Sequence, residues 1–466
     1  MTQTLLRKTK AVCMTCLEPV PADFELDEER DVVSLHKHCA KDGDSRDDVT
    51  ANGALFAELD GFYHDVMKRM PQQMYFAEIH STCNLACKFC YVKDKVEGTM
   101  PDVSFDEVPE EYVRGKVINL IGAEPTLSPT HIEKIREIRR KGGVPQLSTN
   151  GVLCKNPDYV AKLKDAGIDR IFMQFDSLGD DYYNEVCGIP LVEQKLRAIR
   201  NLDEAGIPTT LRMVVIKGQN DEEIWPLIDF LQKQRATISL HLMGLSRIGM
   251  ALENYEGGAM MPMDIVQAFC DQSNGLVEPR DVLVFLKAFY AWTATEEVKW
   301  CMHIYPYLLV PDRDGYLNYT EVFDRERLDR GLERFRERFD RKRRRRNRPR
   351  LWWTILRSIK PWGFLKHSWR HRGKAWTLLT KGRKALAEEL CEVNFFTICS
   401  PDIIDFNIID NCNAGMISKH ESVPLVMENV AHTVYLREKY YAAKGETFGP
   451  THLAGAREQS SQAAEV

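Results

Sequence analysis

The stretch Ser81-Thr82-Cys83-Asn84-Leu85-Ala86-Cys87-Lys88-Phe89-Cys90-Tyr91 decides the reading of this chain. Three cysteines stand at C-x3-C-x2-C, with Phe89 before the last and Tyr91 after it. In a reducing compartment, clustered thiols more often bind metal than form disulfides. Three thiolates at this spacing grip three irons of a [4Fe–4S] cluster, whereas the usual four-cysteine cluster has every iron capped by protein. No fourth cysteine is nearby in the sequence. One iron would therefore keep an open position for an outside ligand, as a catalytic metal site does. Phe89 and Tyr91 would shield the cluster from water, which tunes its potential. A zinc knuckle or three core thiols are the competing readings.

The residues that follow alternate between strand and helix. Lys116–Ile121 is a short apolar strand ending in Gly122-Ala123-Glu124-Pro125. A helix over 131–141 carries Ile132, Ile135 and Ile138 on one face. Gln146–Gly151 is a strand ending in a polar turn, and a helix over 157–166 leads to a strand at Ile171–Ser177. A helix over 191–205 leads to Thr209–Ile216, and a helix near 222–233 precedes Thr237–Leu242. This alternation predicts an α/β fold, a partial parallel (β/α) barrel. Polar residues gather where the strands end, which is where such barrels place their chemistry.

In this order, the three-cysteine loop, GAEP and STNG resemble the radical S-adenosylmethionine (SAM) superfamily, firmly from Met74 to Gly249. GAEP is similar to the family's GGEP motif, with Ala123 in place of the second glycine. The resemblance implies that Cys83, Cys87 and Cys90 ligate a [4Fe–4S] cluster whose open iron chelates SAM. The reduced cluster then cleaves SAM to a 5′-deoxyadenosyl radical. It also implies SAM contacts from Tyr91, Gly122, Ala123, Glu124, Pro125, Ser148, Asn150, Gln174 and Arg212, and a flavodoxin- or ferredoxin-type electron donor. A backbone with little side-chain bulk suits close approach to the amino group of SAM.

Ahead of this core, Cys13-x2-Cys16 and His36-x2-Cys39 are two knuckle-like pairs that together could hold one zinc or mononuclear iron in a small ribbon. The bland alternative is a buried Cys39 with His36 and His38 on the surface. A metal ribbon before a radical SAM core resembles the subgroup that includes tetraether synthase, which joins lipid chains at unactivated carbons. In that subgroup a C-x2-H-G segment is expected, and here Asp42 stands where its histidine would be. Later cysteines in the family supply auxiliary clusters. Cys301, Cys391, Cys399 and Cys412 are the candidates for one, with buried free thiols as the alternative. Pro424-Leu425-Val426-Met427 lacks the cysteine expected there. Joining two saturated carbons needs two hydrogen abstractions, so without an auxiliary cluster methylation, desaturation or rearrangement gains weight.

The 466 residues are 44% hydrophobic and 28% charged, which is the composition of a folded globular protein. No apolar run approaches the roughly 18–20 residues that span a bilayer, and the N-terminus lacks the apolar core of a secretion signal. Residues 341–376 hold 14 lysines and arginines, no acidic residue, and five of the eight tryptophans. Leu351, Trp352, Ile355, Leu356 and Ile359 recur at helical spacing there. A basic helix bordered by tryptophan suits an anionic membrane surface, with Arg344, Trp352, Trp353, Arg357 and Trp362 as contacts. RNA is the rival partner, and a buried helix beside a solvated arginine run is the bland one.

The expected organisation is a metal ribbon at 1–50, the radical SAM core at 74–250 and barrel completion with an α+β C-terminal extension at 251–340. The basic segment at 341–376, a C-terminal subdomain at 377–440 and a disordered tail at 441–466 follow. The expected protein is a cytoplasmic enzyme, peripheral to the inner face of the cell membrane, that abstracts hydrogen from a lipid chain. Modification of a peptide or RNA is the alternative.

Overall fold

A computed structural model describes residues 3–16, 18–67, 74–90, 104–234, 236–246, 250–255, 260–298, 300–312, 315–371, 390–397, 403, 405–406, 414–417 and 422–424. Strands β1 (Gln3–Val12), β2 (Pro19–Asp27), β3 (Val32–Cys39) and β4 (Gly43–Thr50) form a four-stranded antiparallel sheet, and helix α1 (Gly53–Val66) follows it. This unit is tied to the rest of the chain through polar contacts. Arg7 pairs with Asp60 and Asp405, Thr50 Oγ1 donates to Asp264 at 2.7 Å, and Tyr63 Oη donates to the Trp300 carbonyl at 2.7 Å.

The main sheet begins with β5 (Met74–Glu78), β6 (Val117–Ile121), β7 (Val144–Thr149), β8 (Arg170–Gln174), β9 (Thr209–Val215) and β10 (Thr237–Gly244). Helices α2 (His131–Arg140), α3 (Pro157–Asp165), α4 (Asp180–Cys187), α5 (Val192–Glu204) and α6 (Ile224–Leu231) fall between these strands. Neighbouring strands are parallel, as crossover helices require. Helices α7 (Ala251–Asn254), α8 (Pro262–Gln272) and α9 (Pro279–Glu296) come next, then the hairpin β11 (Ile304–Asp312) and β12 (Gly315–Leu317). Three further helices, α10 (Arg325–Glu337), α11 (Arg348–Arg357) and α12 (Pro361–Arg370), precede the last strands, β13 (Cys391–Thr397), β14 (Ala414–Ile417) and β15 (Ser422–Pro424).

Those last strands change the expected organisation. β13 lies between β10 and β11, parallel to the first and antiparallel to the second, and β14 pairs in parallel with β5. The region expected as a C-terminal subdomain, 377–440, thus supplies three strands to the main sheet. The pairing order is β12-β11-β13-β10-β9-β8-β7-β6-β5-β14-β15, so among the described residues the strands form an open eleven-stranded sheet and do not close into a barrel. Period-two alternation divides its faces. Leu147, Ile171, Met173, Leu211, Met213, Leu240, Leu242, Val393 and Phe395 join the hydrophobic core. The alternate positions, among them Ser148, Phe172, Gln174, Arg212, Val214, Met243 and Phe396, line a cavity.

Candidate active site

The cavity has a volume of about 260 Å³ and lies at the C-terminal ends of the parallel strands. Cys83, Cys87 and Cys90, on the loop after β5, all line it. So do Gly122, Ala123, Glu124, Ser148, Asn150, Gln174 and Arg212, residues from four different strand ends. Pro125 is buried and opens the helical turn Pro125–Leu127 behind them. Tyr91 lies outside the described residues.

Backbone pairing carries the cysteine loop past the edge of the sheet. Ile79 N donates to Ile121 O at 2.9 Å, Ala123 N to His80 O at 2.9 Å, and Glu124 N to Thr82 O at 3.0 Å. Gly122 has φ +145°, and a Cβ there would collide with the His80 carbonyl. Only glycine lets the two chains run so close. Gly122→Ala is expected to displace the loop and reduce the iron held per chain after anaerobic reconstitution, as iron analysis would measure.

The Glu124 side chain bridges two strand ends. Its carboxylate accepts from Thr126 N at 3.2 Å, Thr126 Oγ1 at 2.6 Å, Thr149 Oγ1 at 2.7 Å and Asn150 N at 2.7 Å. Asn150 in turn donates from Nδ2 to Asn84 Oδ1 at 2.8 Å, which joins the end of β7 to the cysteine loop. Arg212 donates to Ser148 Oγ at 2.8 Å and lies 4.1 Å above the Phe172 ring.

Three groups of the site's floor were not singled out from the sequence. Lys195 on α5 is fully buried and donates to Asn150 O at 3.0 Å and Gln174 O at 2.7 Å. Buried Asp176 accepts from Gln174 Nε2 at 2.6 Å and Val214 N at 2.8 Å. Burial pushes its carboxyl up to about 6, opposed by the charge of Lys195. Cys187, at the end of α4, has its sulfur 3.4 Å from that of Cys87. Both are within reach of a hydrogen bond, which in an iron–sulfur site tunes the cluster's potential. Nothing in local spacing marks these residues, because the end of β8, α4 and α5 bring them in from about 90 to 110 positions downstream of the loop.

These residues suit an iron–sulfur cluster. The three thiols share one cavity, and no fourth cysteine is among the residues lining it. They are also absent from the described side-chain groups that converge closely enough to hold a single ion. Three spread thiolates and one open side fit a multi-iron group better than a mononuclear metal.

Residues 78–231 match the family model of the radical SAM superfamily. That stretch of the chain is a radical SAM domain. Its cofactors are accordingly a [4Fe–4S] cluster and SAM. A 7,8-dihydro-6-hydroxymethylpterin dimethyltransferase of Methanocaldococcus jannaschii is 25% identical over 308 residues, covering 59% of this chain and 60% of the relative. A probable GTP 3′,8-cyclase of Pyrococcus abyssi is 33% identical over 162 residues, covering 34% of this chain and 52% of the relative. The chain thus spans between half and about three-fifths of these relatives' lengths. Among solved structures, SuiB of Streptococcus suis bound to S-adenosylmethionine superimposes with a TM-score of 0.38 at 14% identity, over 47% of this chain and 50% of that one. These curated relatives are pterin- and GTP-modifying enzymes rather than the tetraether synthase subgroup.

A second group of side chains, in the N-terminal sheet, could hold a metal ion, and its members differ from the set expected from sequence. One ligand atom from each of Cys13, Cys16, Cys39 and Asp42 falls within 4.8 Å of all the others. The Cys16 and Cys39 sulfurs are 3.7 Å apart, and Asp42 Oδ2 is 3.3 Å from Cys13 Sγ and 3.4 Å from Cys39 Sγ. Tetrahedral zinc with Zn–S near 2.3 Å and Zn–O near 2.0 Å needs about 3.8 Å between sulfurs and about 3.5 Å from sulfur to oxygen. His36 does not belong to this set. On β3, Lys37 and Cys39 are buried on one face while His36 and His38 point to the other, where they meet Asp44. Asp42→Ala is expected to weaken retention of one metal ion per chain, and His36→Ala to leave it unchanged, by elemental analysis after dialysis.

Two of the expected auxiliary ligands, Cys301 and Cys391, do not come together. Ile304 pairs with Phe396 and Leu309 with Cys391, so Cys301 and Cys391 lie toward opposite ends of one ladder. At about 3.3 Å per residue, roughly 16 Å of strand separates those ends. Cys399 and Cys412 lie outside the described residues. The surface residues divide as well. Trp352, Trp353, Arg357 and Trp362 are exposed, but Arg344 is buried in the turn Arg344–Asn347, its guanidinium 6.0 Å from the centre of the Phe339 ring. Arg344 is therefore unavailable to a membrane. No helix of the described residues is long and apolar enough to cross one.

Proposed function

We propose that this radical SAM enzyme removes a hydrogen atom from an unactivated C–H bond of an apolar, chain-like substrate, a lipid hydrocarbon chain. The observation that carries the reading is the cavity wall. Phe76, Leu85, Phe89, Phe172, Val214, Met243, Leu245 and Phe396 supply most of it. Among the described lining residues Arg212 is the single cationic side chain, and it already donates to Ser148. A nucleoside triphosphate carries several negative charges and calls for several cations. An alkyl chain calls for none.

When bound, the cluster and SAM supply the 5′-deoxyadenosyl radical. The protein's own residues do the rest. Glu124 and Asn150 fix the cysteine loop against the strand ends, and Lys195 locks the backbone of Asn150 and Gln174. The apolar wall orients a C–H bond and excludes water that would quench a radical. A second reading, methyl transfer to a pterin-like ring, is favoured by the methanocaldococcal relative, which covers 59% of this chain.

The test is turnover by reconstituted enzyme under strong reductant, with lipid extract, a reduced pterin or GTP offered separately. Lipid-dependent 5′-deoxyadenosine with a mass change in a lipid is expected. Consumption of the pterin or GTP, with lipids unchanged, would refute the lipid assignment and leave the superfamily assignment standing.

A further inference from the structure

Helices α10 and α11 pack closely at Gly331, where an added Cβ would lie 2.5 Å from Cγ2 of Thr354. Beside this contact is a groove of about 600 Å³. Helix α10 and the residue after it present Arg327, Arg334 and Arg338 to the groove, and α11 presents Arg350 and Arg357. The spacings i, i+7, i+11 and i, i+7 put each set on one helix face. Trp353 completes the wall, with Arg357 4.9 Å above its ring. The ion pairs of α10 use other arginines, Arg330 with Glu326 and Arg336 with Glu333. Among the described residues, none of the five groove arginines has a carboxylate within ion-pair distance. Five like charges around one concavity repel each other and attract an anion.

The next surface is apolar and outward-facing. On α11 the core takes Leu351 and part of Ile355, which leaves Trp352 and Leu356 exposed. On α12, Trp362, Leu365 and Trp369 recur at i, i+3, i+7 and are 84%, 57% and 76% exposed. The opposite side of α12 is anchored. His367 is buried, Arg370 pairs with Asp312 at 2.7 Å, and Lys360 Nζ donates to Thr320 O at 2.8 Å. The tryptophans are thus held outward by a docked helix.

We propose that the α10–α11 groove binds the phosphate headgroup of an anionic lipid while the α11–α12 stripe enters the membrane interface. Phosphate suits planar, bidentate guanidinium groups. Tryptophans beside basic side chains suit the headgroup zone. Leu356 and Leu365 decide between lipid and RNA, because exposed aliphatic bulk gains from leaving water, whereas leucine offers no stacking surface to a base. This interaction goes beyond the reaction proposed above and is measured without turnover.

The test is sedimentation of the full chain with phosphatidylcholine vesicles, with and without phosphatidylglycerol. Binding is expected with the anionic vesicles alone. Each groove arginine contributes about fivefold to partitioning, so Arg334→Ala with Arg350→Ala is expected to weaken it by about 25-fold. Trp362→Ala with Trp369→Ala is expected to weaken it while binding of soluble glycerol phosphate, followed by calorimetry, stays unchanged. Unchanged thermal melting and iron content would show that the variants fold. Undiminished sedimentation of the arginine variant overturns the site. Glycerol phosphate binding without vesicle binding assigns the groove to a free phosphate compound and overturns the membrane. RNA binding without vesicle binding overturns it as well.

Discussion

Cys87→Ala protein, reconstituted anaerobically with SAM and strong reductant, is expected to form no 5′-deoxyadenosine above the enzyme-free background. Cys87 is the most buried of the three loop cysteines and faces the cavity between Cys83 and Cys90. Cys187 cannot replace it, because its sulfur approaches Cys87 from a helix end and is not among the residues lining the cavity. Cys187→Ala is therefore the informative control. It is expected to retain the cluster's iron and SAM cleavage and to shift the reduction potential, since a hydrogen bond at the Cys87 sulfur is lost. Deoxyadenosine production by Cys87→Ala would contradict the cluster assignment.

The second large effect is expected at Lys195. This fully buried ammonium lies beneath the cavity, donates to two strand-end carbonyls and opposes the burial of Asp176. Removing it leaves two buried carbonyls without their donor, at roughly 1–3 kcal/mol each, and takes away the charge that favours ionised Asp176. Lys195→Met is expected to show a loss of that size by thermal or urea denaturation. The Asp176 carboxyl is held at about 6, above its usual 3.8. Its folded form therefore holds the proton more tightly than the unfolded chain does. The contribution of this carboxyl favours folding in acid and is lost as pH rises from about 4 to about 6. Without Lys195 its pKa rises further, so the variant's deficit should grow with pH over and above that window. Adding Asp176→Asn should remove this pH dependence. A Lys195→Met deficit independent of pH would show that the cost is the lost donor and not the charge.

The parts of the fold legible from sequence are those encoded by neighbours. The cysteine loop, the GAEP strand end and the alternation from β6 to β10 each rest on spacing within a dozen residues, and the structure brings Gly122, Ser148, Asn150, Gln174 and Arg212 into one cavity with the loop. What was hidden depends on distant pairing. β13 enters the middle of the sheet from about 150 residues after β10, and no periodicity announces such a partner. The metal ribbon shows the difference at the level of one residue. His36 is a good ligand type near Cys39, yet strand alternation turns it away and a turn brings Asp42 in. Arg344 looked like one of a run of surface arginines, and a helical turn buries it. The arginine stripe of α10 was legible in principle at i, i+7, i+11, but its meaning required α11 beside it.

The most direct measurement is the electron paramagnetic resonance spectrum of the reduced, reconstituted protein with and without SAM. A [4Fe–4S] signal carried by Cys83, Cys87 and Cys90, whose g-values shift when SAM is added, is the expected result. A signal that SAM leaves unchanged, or that survives replacement of all three cysteines, would contradict a SAM-binding cluster at this cavity.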